Sequence, residues 1–215
     1  MEKNDIIQKI LDSGIIAILR TKDPEHILPS ALAILEGGIK TIEVSFNTPD
    51  ALKCISQLTE IDGVLPGGGT VTSAKMAKEA IKAGAEFIIT PITKKEIIDA
   101  CHDLGKPIFS GAFTPSEIFQ AHEWGADVVK VFPASSLGMK YIKIIKTPFP
   151  EIKLLPAGGV NAENIDQWFD AGADCVGIGG CFTKESILAN AEWGRQTAVA
   201  KELVVNLGHY LSSRK

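Results

Sequence analysis

A strand-then-helix unit repeats eight times along this chain, and that repetition constrains its fold more than any other feature. The strand runs are IIAILR (15–20), TIEVSF (41–46), VLPGGGTV (64–71), FIITP (87–91), PIFSGAF (107–113), VVKVFP (128–133), KLLPAGG (153–159) and CVGIGG (175–180). Asp23-Pro24 opens a helical stretch that closes at Gly37-Gly38, and Thr48-Pro49-Asp50 opens one reaching Thr59. Ser73 opens a third, and Thr114-Pro115-Ser116-Glu117 opens another that ends at Trp124-Gly125. These are the start and stop residues a helix requires: a side-chain acceptor for the free N–H groups of the first turn, and a residue tolerant of left-handed backbone after the last. Further helices are expected at 139–146, before Ala171-Gly172-Ala173, and as one C-terminal helix over 184–209.

Divided among 215 residues, eight units have about 27 residues each, near the lower limit for a strand, a crossover helix and two short loops. Nothing is left for a second domain, so a single domain over 1–215 is expected. Alternating apolar strands and helices predict a parallel sheet covered by helices, and eight units favour closure into an α/β (β/α)8 TIM barrel behind an N-terminal helix. The rival is an open doubly wound sheet. No glycine-rich dinucleotide fingerprint follows the first strand, which runs on as ILRTKD.

The formal net charge of -4 and the lack of a Lys/Arg block argue against nucleic acid or an anionic membrane as partner. Apolar runs are too short to span a bilayer. MEKNDIIQKILDSG (1–14) has helical spacing and no apolar signal-peptide region, so it reads as a surface helix, and a cytoplasmic location is expected. Cys54, Cys101, Cys175 and Cys181 lack C-x-x-C spacing and read as reduced core thiols. His26, His102, His122 and His209 all fall in helical stretches, away from strand ends, which weakens any metal-hydrolase or Ser-His arrangement; no metal site is expected.

Chemistry is therefore sought at strand ends. VVKVFP reads as a strand buried on both faces, where an ammonium loses most of its hydration. Lys130 is then either paired with an acid or used as an amine nucleophile toward ketones. In TIEVSF, Glu43 shares a face with Thr41 and Ser45 while Ile42 and Val44 take the other, so Glu43 is expected to point into the barrel. Burial would raise its pKa toward the range useful for proton transfer. Glu43 and Lys130 could also be a buried pair that merely neutralise one another, although such pairs rarely repay their desolvation. Gly158-Gly159 and Gly179-Gly180 remove side chains after strands seven and eight, where this architecture commonly binds phosphate; a tight turn would explain one pair alone, but two pairs at adjacent strands favour phosphate. Gly67-Gly68-Gly69-Thr70 offers room inside the barrel and a hydroxyl at its mouth. Arg20, at the end of strand one, is either an anion clamp or a solvated rim charge.

Taken together, IEV, GGGTV, TP, VKVFP and PAGGV occur in an order that resembles the 2-keto-3-deoxy-6-phosphogluconate aldolase family, also described as 4-hydroxy-2-oxoglutarate aldolases. The resemblance spans nearly the whole chain. It implies a class I aldolase that needs no metal or organic cofactor, assembles as a homotrimer and acts on a phosphorylated keto acid to release pyruvate. By position, Lys130 resembles the Schiff-base lysine and Glu43 the proton-transfer acid/base. Thr70 and Pro91 would surround the pyruvyl portion, Phe132 would stand beside the imine, and Gly158, Gly159, Gly179 and Gly180 would form the phosphate loop. Many relatives carry arginine where this chain has Asn47; with that carboxylate contact missing, Arg20 is the candidate substitute. Asn47 and FPASS (132–136) are similar to aldolases acting on the galactonate epimer, and Cys181 stands where some relatives have serine. The epimer, activity on unphosphorylated 4-hydroxy-2-oxoglutarate, and a barrel isomerase or synthase without a covalent intermediate stay open at this point.

Overall fold

The structure, a computed structural model, describes residues 1–213. Its strands are β1 Ile15–Leu19, β2 Thr41–Ser45, β3 Leu65–Gly69, β4 Phe87–Ile89, β5 Ile108–Ala112, β6 Val128–Val131, β7 Leu154–Pro156 and β8 Val176–Ile178. They form one parallel sheet in the order β7-β6-β5-β4-β3-β2-β1-β8. Its two ends meet through a parallel bridge between Ala157 and Gly177, and the Asp174 N–H donates to the Leu154 carbonyl at 3.0 Å. The sheet thus closes on itself as the expected (β/α)8 barrel, which abolishes the free edges an open doubly wound sheet would leave.

The helices are α1 Lys3–Ser13, α2 Ile27–Glu36, α3 Ala51–Thr59, α4 Ala74–Lys82, α5 Lys95–His102, α6 Pro115–Glu123, α7 Met139–Lys146, α8 Ile165–Asp170, α9 Glu185–Ala189 and α10 Trp193–Ser212. Their start signals act largely as the sequence suggests. Ser73 accepts from the Met76 N–H at 3.2 Å, and Thr114 and Glu117 form a reciprocal capping box. Asp50 departs from this: it sits in left-handed backbone and makes no side-chain cap. The single C-terminal helix expected over 184–209 is two helices. Ala191, at φ 52°, breaks the chain between α9 and α10. The turn lets α10 run back along α2, where Gly37 leaves no room for a Cβ beside Ala200. No helix among the described residues is long and apolar enough to cross a membrane.

Period-two alternation divides the apolar residues between two cores. Ile42, Val44, Ile88, Val129 and Val131 face the helices, whereas Ile16, Leu65, Phe87, Ile89, Phe109, Val128 and Leu155 fill the barrel. Ile6 and Ile10 of α1 join this inner cluster. The N-terminal helix therefore covers more than surface: its apolar stripe plugs the barrel floor, and Lys3 ties it to Asp127 at 2.7 Å. With the floor sealed by apolar side chains, only the end of the barrel where strands finish is left for polar chemistry.

Among the four cysteines, all free, Cys54, Cys101 and Cys175 are buried and Cys181 is half-buried. Burial pushes the Cys101 thiol up to about 12 and the Cys181 thiol up to about 11, so neither offers a ready thiolate.

Phe87 occupies the space that Gly67 leaves empty, and a Cβ at Gly67 would overlap its ring. Gly67→Ala is expected to destabilise the fold by about 1–3 kcal/mol. In chemical denaturation the double variant with Phe87→Leu should lose less than the sum of the two single losses; strict additivity would show that the contact does not govern the packing.

Candidate active site

Lys130 and Glu43 both point into the barrel from neighbouring levels of their strands. Glu43 lies in register with Ile18 and Gly67, and Lys130 with Gly111 and Leu155. Each follows an inward apolar or hydroxyl position by two residues, Val128 before Lys130 and Thr41 before Glu43, which places both above the sealed floor. Glu43 is 1% exposed and Lys130 6%. No ion pair joins them among the described residues. Glu43 Oε2 has no hydrogen-bond partner there, and the Lys130 amine lies 5.1 Å from the centre of the Phe132 ring.

Burial pushes the Glu43 carboxyl above the ordinary glutamate value, and the nearby Lys130 charge offsets only part of that rise. An acid held near a cationic amine without contacting it can release and regain its proton as the charge beside it changes.

Glycine makes room for these groups. The Glu43 carboxyl lies where a Gly69 side chain would be, and the Pro91 backbone lies where a Gly111 side chain would be. Pro91 thus folds over the strand next to Lys130, and Thr93 Oγ1 secures it by donating to the Gly111 carbonyl at 2.6 Å. Thr70, directly after Gly69, has φ 59°. Left-handed backbone is costly for a β-branched residue and clusters at functional positions. Its hydroxyl is held by Ser45 Oγ at 2.8 Å. Phe132 is 41% exposed and stands at the mouth.

The two glycine pairs lie on the β7–β8 side of the same rim. Gly158 and Gly159 adopt φ 96° and 86°, and a Cβ at Gly159 would meet Ser135 Cβ at 3.0 Å. Gly179 packs against Ile18, while Gly180 faces open space. Arg20 and Asn47 line a neighbouring cleft of about 460 Å³ with Lys22, His26, Thr183 and Leu188. Lys130 and Glu43 do not line that cleft, and Asp23 and Glu185 line it as well, so Arg20 and Lys22 share it with two carboxylates.

The candidate site residues lie on the strands or on the loops that follow them, but they do not gather in one place: Arg20 and Asn47 line the outer cleft, and Lys130 and Glu43 do not. Ser45, Thr48 and Ser135 were not singled out as site residues. Ser45 could have been found from its inward position two residues after Glu43, and Ser135 from the FPASS run; the local signal at Thr48 pointed only to a helix start. Among the described residues no three His, Cys, Asp or Glu side chains gather as metal ligands.

A family model described as KDPG and KHG aldolase matches residues 6–199. A 2-dehydro-3-deoxy-phosphogluconate aldolase of Pseudoalteromonas atlantica is 34% identical over 92% of this chain and 93% of its own. A 2-dehydro-3-deoxy-6-phosphogalactonate aldolase of Escherichia coli is 34% identical over 77% of this chain and 82% of its own. The crystal structure of a KDPG aldolase from Legionella pneumophila, with pyruvate captured as a covalent carbinolamine, superposes with a TM-score of 0.83 at 30% identity, covering 90% of this chain and 95% of that one.

The native state holds the Glu43 proton more tightly than the unfolded chain does. Stability is therefore full below the ordinary glutamate pKa of about 4.3 and is lost as pH rises through the raised native value. Glu43→Gln, which keeps the shape of the neutral acid, is expected to gain stability relative to wild type as pH rises above the ordinary glutamate value of about 4.3. Parallel stability–pH curves from chemical denaturation would contradict the raised carboxyl.

Proposed function

The chain belongs to the KDPG and KHG aldolase family and is a carbon–carbon lyase, and we propose that it cleaves 2-keto-3-deoxy-6-phosphogluconate to pyruvate and glyceraldehyde 3-phosphate through a Schiff base on Lys130. One observation carries the residue assignment: an amine and a carboxyl buried in the interior of one barrel, within reach of each other's charge and not bonded. A pair kept only to neutralise itself would close to contact, because each buried ion otherwise goes uncompensated.

In this reading the free amine of Lys130 attacks the C2 ketone, the Glu43 acid gives its proton to the departing hydroxyl, and loss of water leaves an iminium beside the Glu43 carboxylate. Glu43, as the carboxylate, takes the C4 hydroxyl proton. The C3–C4 bond electrons then flow into the iminium to give an enamine, and glyceraldehyde 3-phosphate leaves. Glu43 returns its proton to C3, and water hydrolyses the new iminium to pyruvate and free Lys130. Thr70, Pro91 and Phe132 enclose the pyruvyl portion. Gly158, Gly159, Gly179 and Gly180 offer backbone N–H groups to the phosphate, with Ser135 beside them. Arg20, which lines a cleft with Asn47, takes the substrate carboxylate. An isomerase or synthase using Glu43 alone is not favoured, since the family is one of aldolases and the Legionella relative holds its pyruvate covalently.

The 6-phosphogalactonate epimer is a second reading, supported by Asn47 in the Arg20 cleft and by the similarity to the Escherichia coli aldolase. The same proposal includes a homotrimer, for which the partly exposed Phe113 and Phe119 offer apolar contact area. It also includes a cytoplasmic location, where charged sugar-acid phosphates are retained.

Borohydride added with pyruvate should fix a covalent adduct on Lys130, detected by peptide mass spectrometry; an unmodified Lys130 peptide would contradict the Schiff base. Glu43→Gln should slow turnover by roughly 10²- to 10⁴-fold while still allowing the adduct to form. A coupled pyruvate-release assay on the two epimers decides between the substrate readings through their kcat/KM ratio.

A further inference from the structure

The β1–β2 ladder ends at the Leu19–Val44 pair, and Arg20 begins the loop beyond it. Backbone pairing therefore does not hold Arg20 against the loop that carries Asn47. A side-chain bond does. The Thr21 N–H donates to Thr48 Oγ1 at 3.2 Å, with Thr21 and Thr48 both buried. Thr48 is fixed in turn, because its own N–H donates to the Ser45 carbonyl at 2.9 Å. On the other side Thr21 Oγ1 accepts from the Asp23 N–H at 3.1 Å, and Asp23 Oδ1 accepts from the Glu25 N–H at 3.0 Å. Ser45 Oγ also accepts from the Asn47 N–H at 3.3 Å while bonded to Thr70. A series of hydrogen bonds, with one backbone link from the Thr48 N–H to the Ser45 carbonyl, thus runs from strained Thr70 through the Asn47 loop to the first turn after Arg20.

We propose that Thr48 is a positioning residue whose buried hydroxyl, through the Thr21 N–H, fixes Arg20 at the mouth of the cleft to receive the substrate carboxylate. Arg20 itself makes no ion pair among the described residues, so its own side chain does nothing to hold the loop in place. A β-branched hydroxyl is well suited to the task, because its χ1 is stiff and the acceptor stays aimed at one N–H. Without that acceptor the Thr21 N–H would be buried and unsatisfied, and the loop would relax toward water and carry Arg20 with it. The inference rests on the reading of Arg20 as the carboxylate clamp.

The test compares steady-state kinetics of Thr48→Val, Thr48→Ser, Arg20→Ala and the Arg20→Ala/Thr48→Val double variant on the phosphorylated substrate, with melting temperature as the folding control. Thr48→Val should raise KM by roughly three- to tenfold with a smaller change in kcat, and Thr48→Ser should restore KM. The double variant should be no worse than Arg20→Ala alone. If Thr48→Val does not fold, Thr48→Ala against Thr48→Ser reads the same quantity. An unchanged KM in Arg20→Ala refutes the clamp, and the inference falls with it. A raised KM in Arg20→Ala with an unchanged KM in Thr48→Val, or effects that multiply in the double variant, overturns the inference alone.

Discussion

Two ionisable side chains buried in one apolar barrel, close enough to feel each other's charge yet not bonded, set the terms for the rest of this structure. Placing an ion in such a site costs several kcal/mol unless it is paired or hydrogen-bonded, and Glu43 answers that cost by holding its proton more tightly. A carboxyl in that condition is a poor stabiliser and a good proton carrier. The surroundings keep it so: the floor is sealed by Ile6 and Ile10, and glycines stand where side chains would otherwise crowd the carboxyl or displace the Pro91 loop.

Much of this arrangement could be read from the residues alone. Alternation in TIEVSF and VVKVFP assigns inward positions to Glu43 and Lys130, because side-chain direction in a strand is a local property. The barrel followed from eight repeats for the same reason. What could not be read depends on pairs far apart in the chain. That Phe87 fills the space of Gly67, that Gly111 admits Pro91, and that Thr48 holds Thr21 are facts of strand register and barrel curvature, absent from any single window of sequence. The break at Ala191 was missed because Asn190-Ala191-Glu192 carries neither Gly nor Pro; the need to lay α10 along α2 overrides local helix preference there.

The rim divides its work between two kinds of contact. Around the buried carboxyl, strain and close packing dominate: Thr70 is held in left-handed backbone and Gly69 gives its space to Glu43. Around the outer cleft, single hydrogen bonds between loops set the positions of exposed charges such as Arg20. The first kind resists substitution, whereas the second can be retuned one residue at a time. In a family whose members are named for different epimers, that separation offers a physical route to changing the substrate while keeping the chemistry proposed for Lys130 and Glu43.

The central claim is that this amine and this carboxyl act on one bound ketone, and the enamine half-reaction isolates their joint action from aldehyde binding. Exchange of pyruvate methyl protons in deuterated water, followed by NMR without any aldehyde, reports it directly. The account predicts exchange catalysed by the wild type, abolished in Lys130→Met and strongly slowed in Glu43→Gln. Absence of exchange in the wild type, or exchange that persists in Lys130→Met, would contradict it.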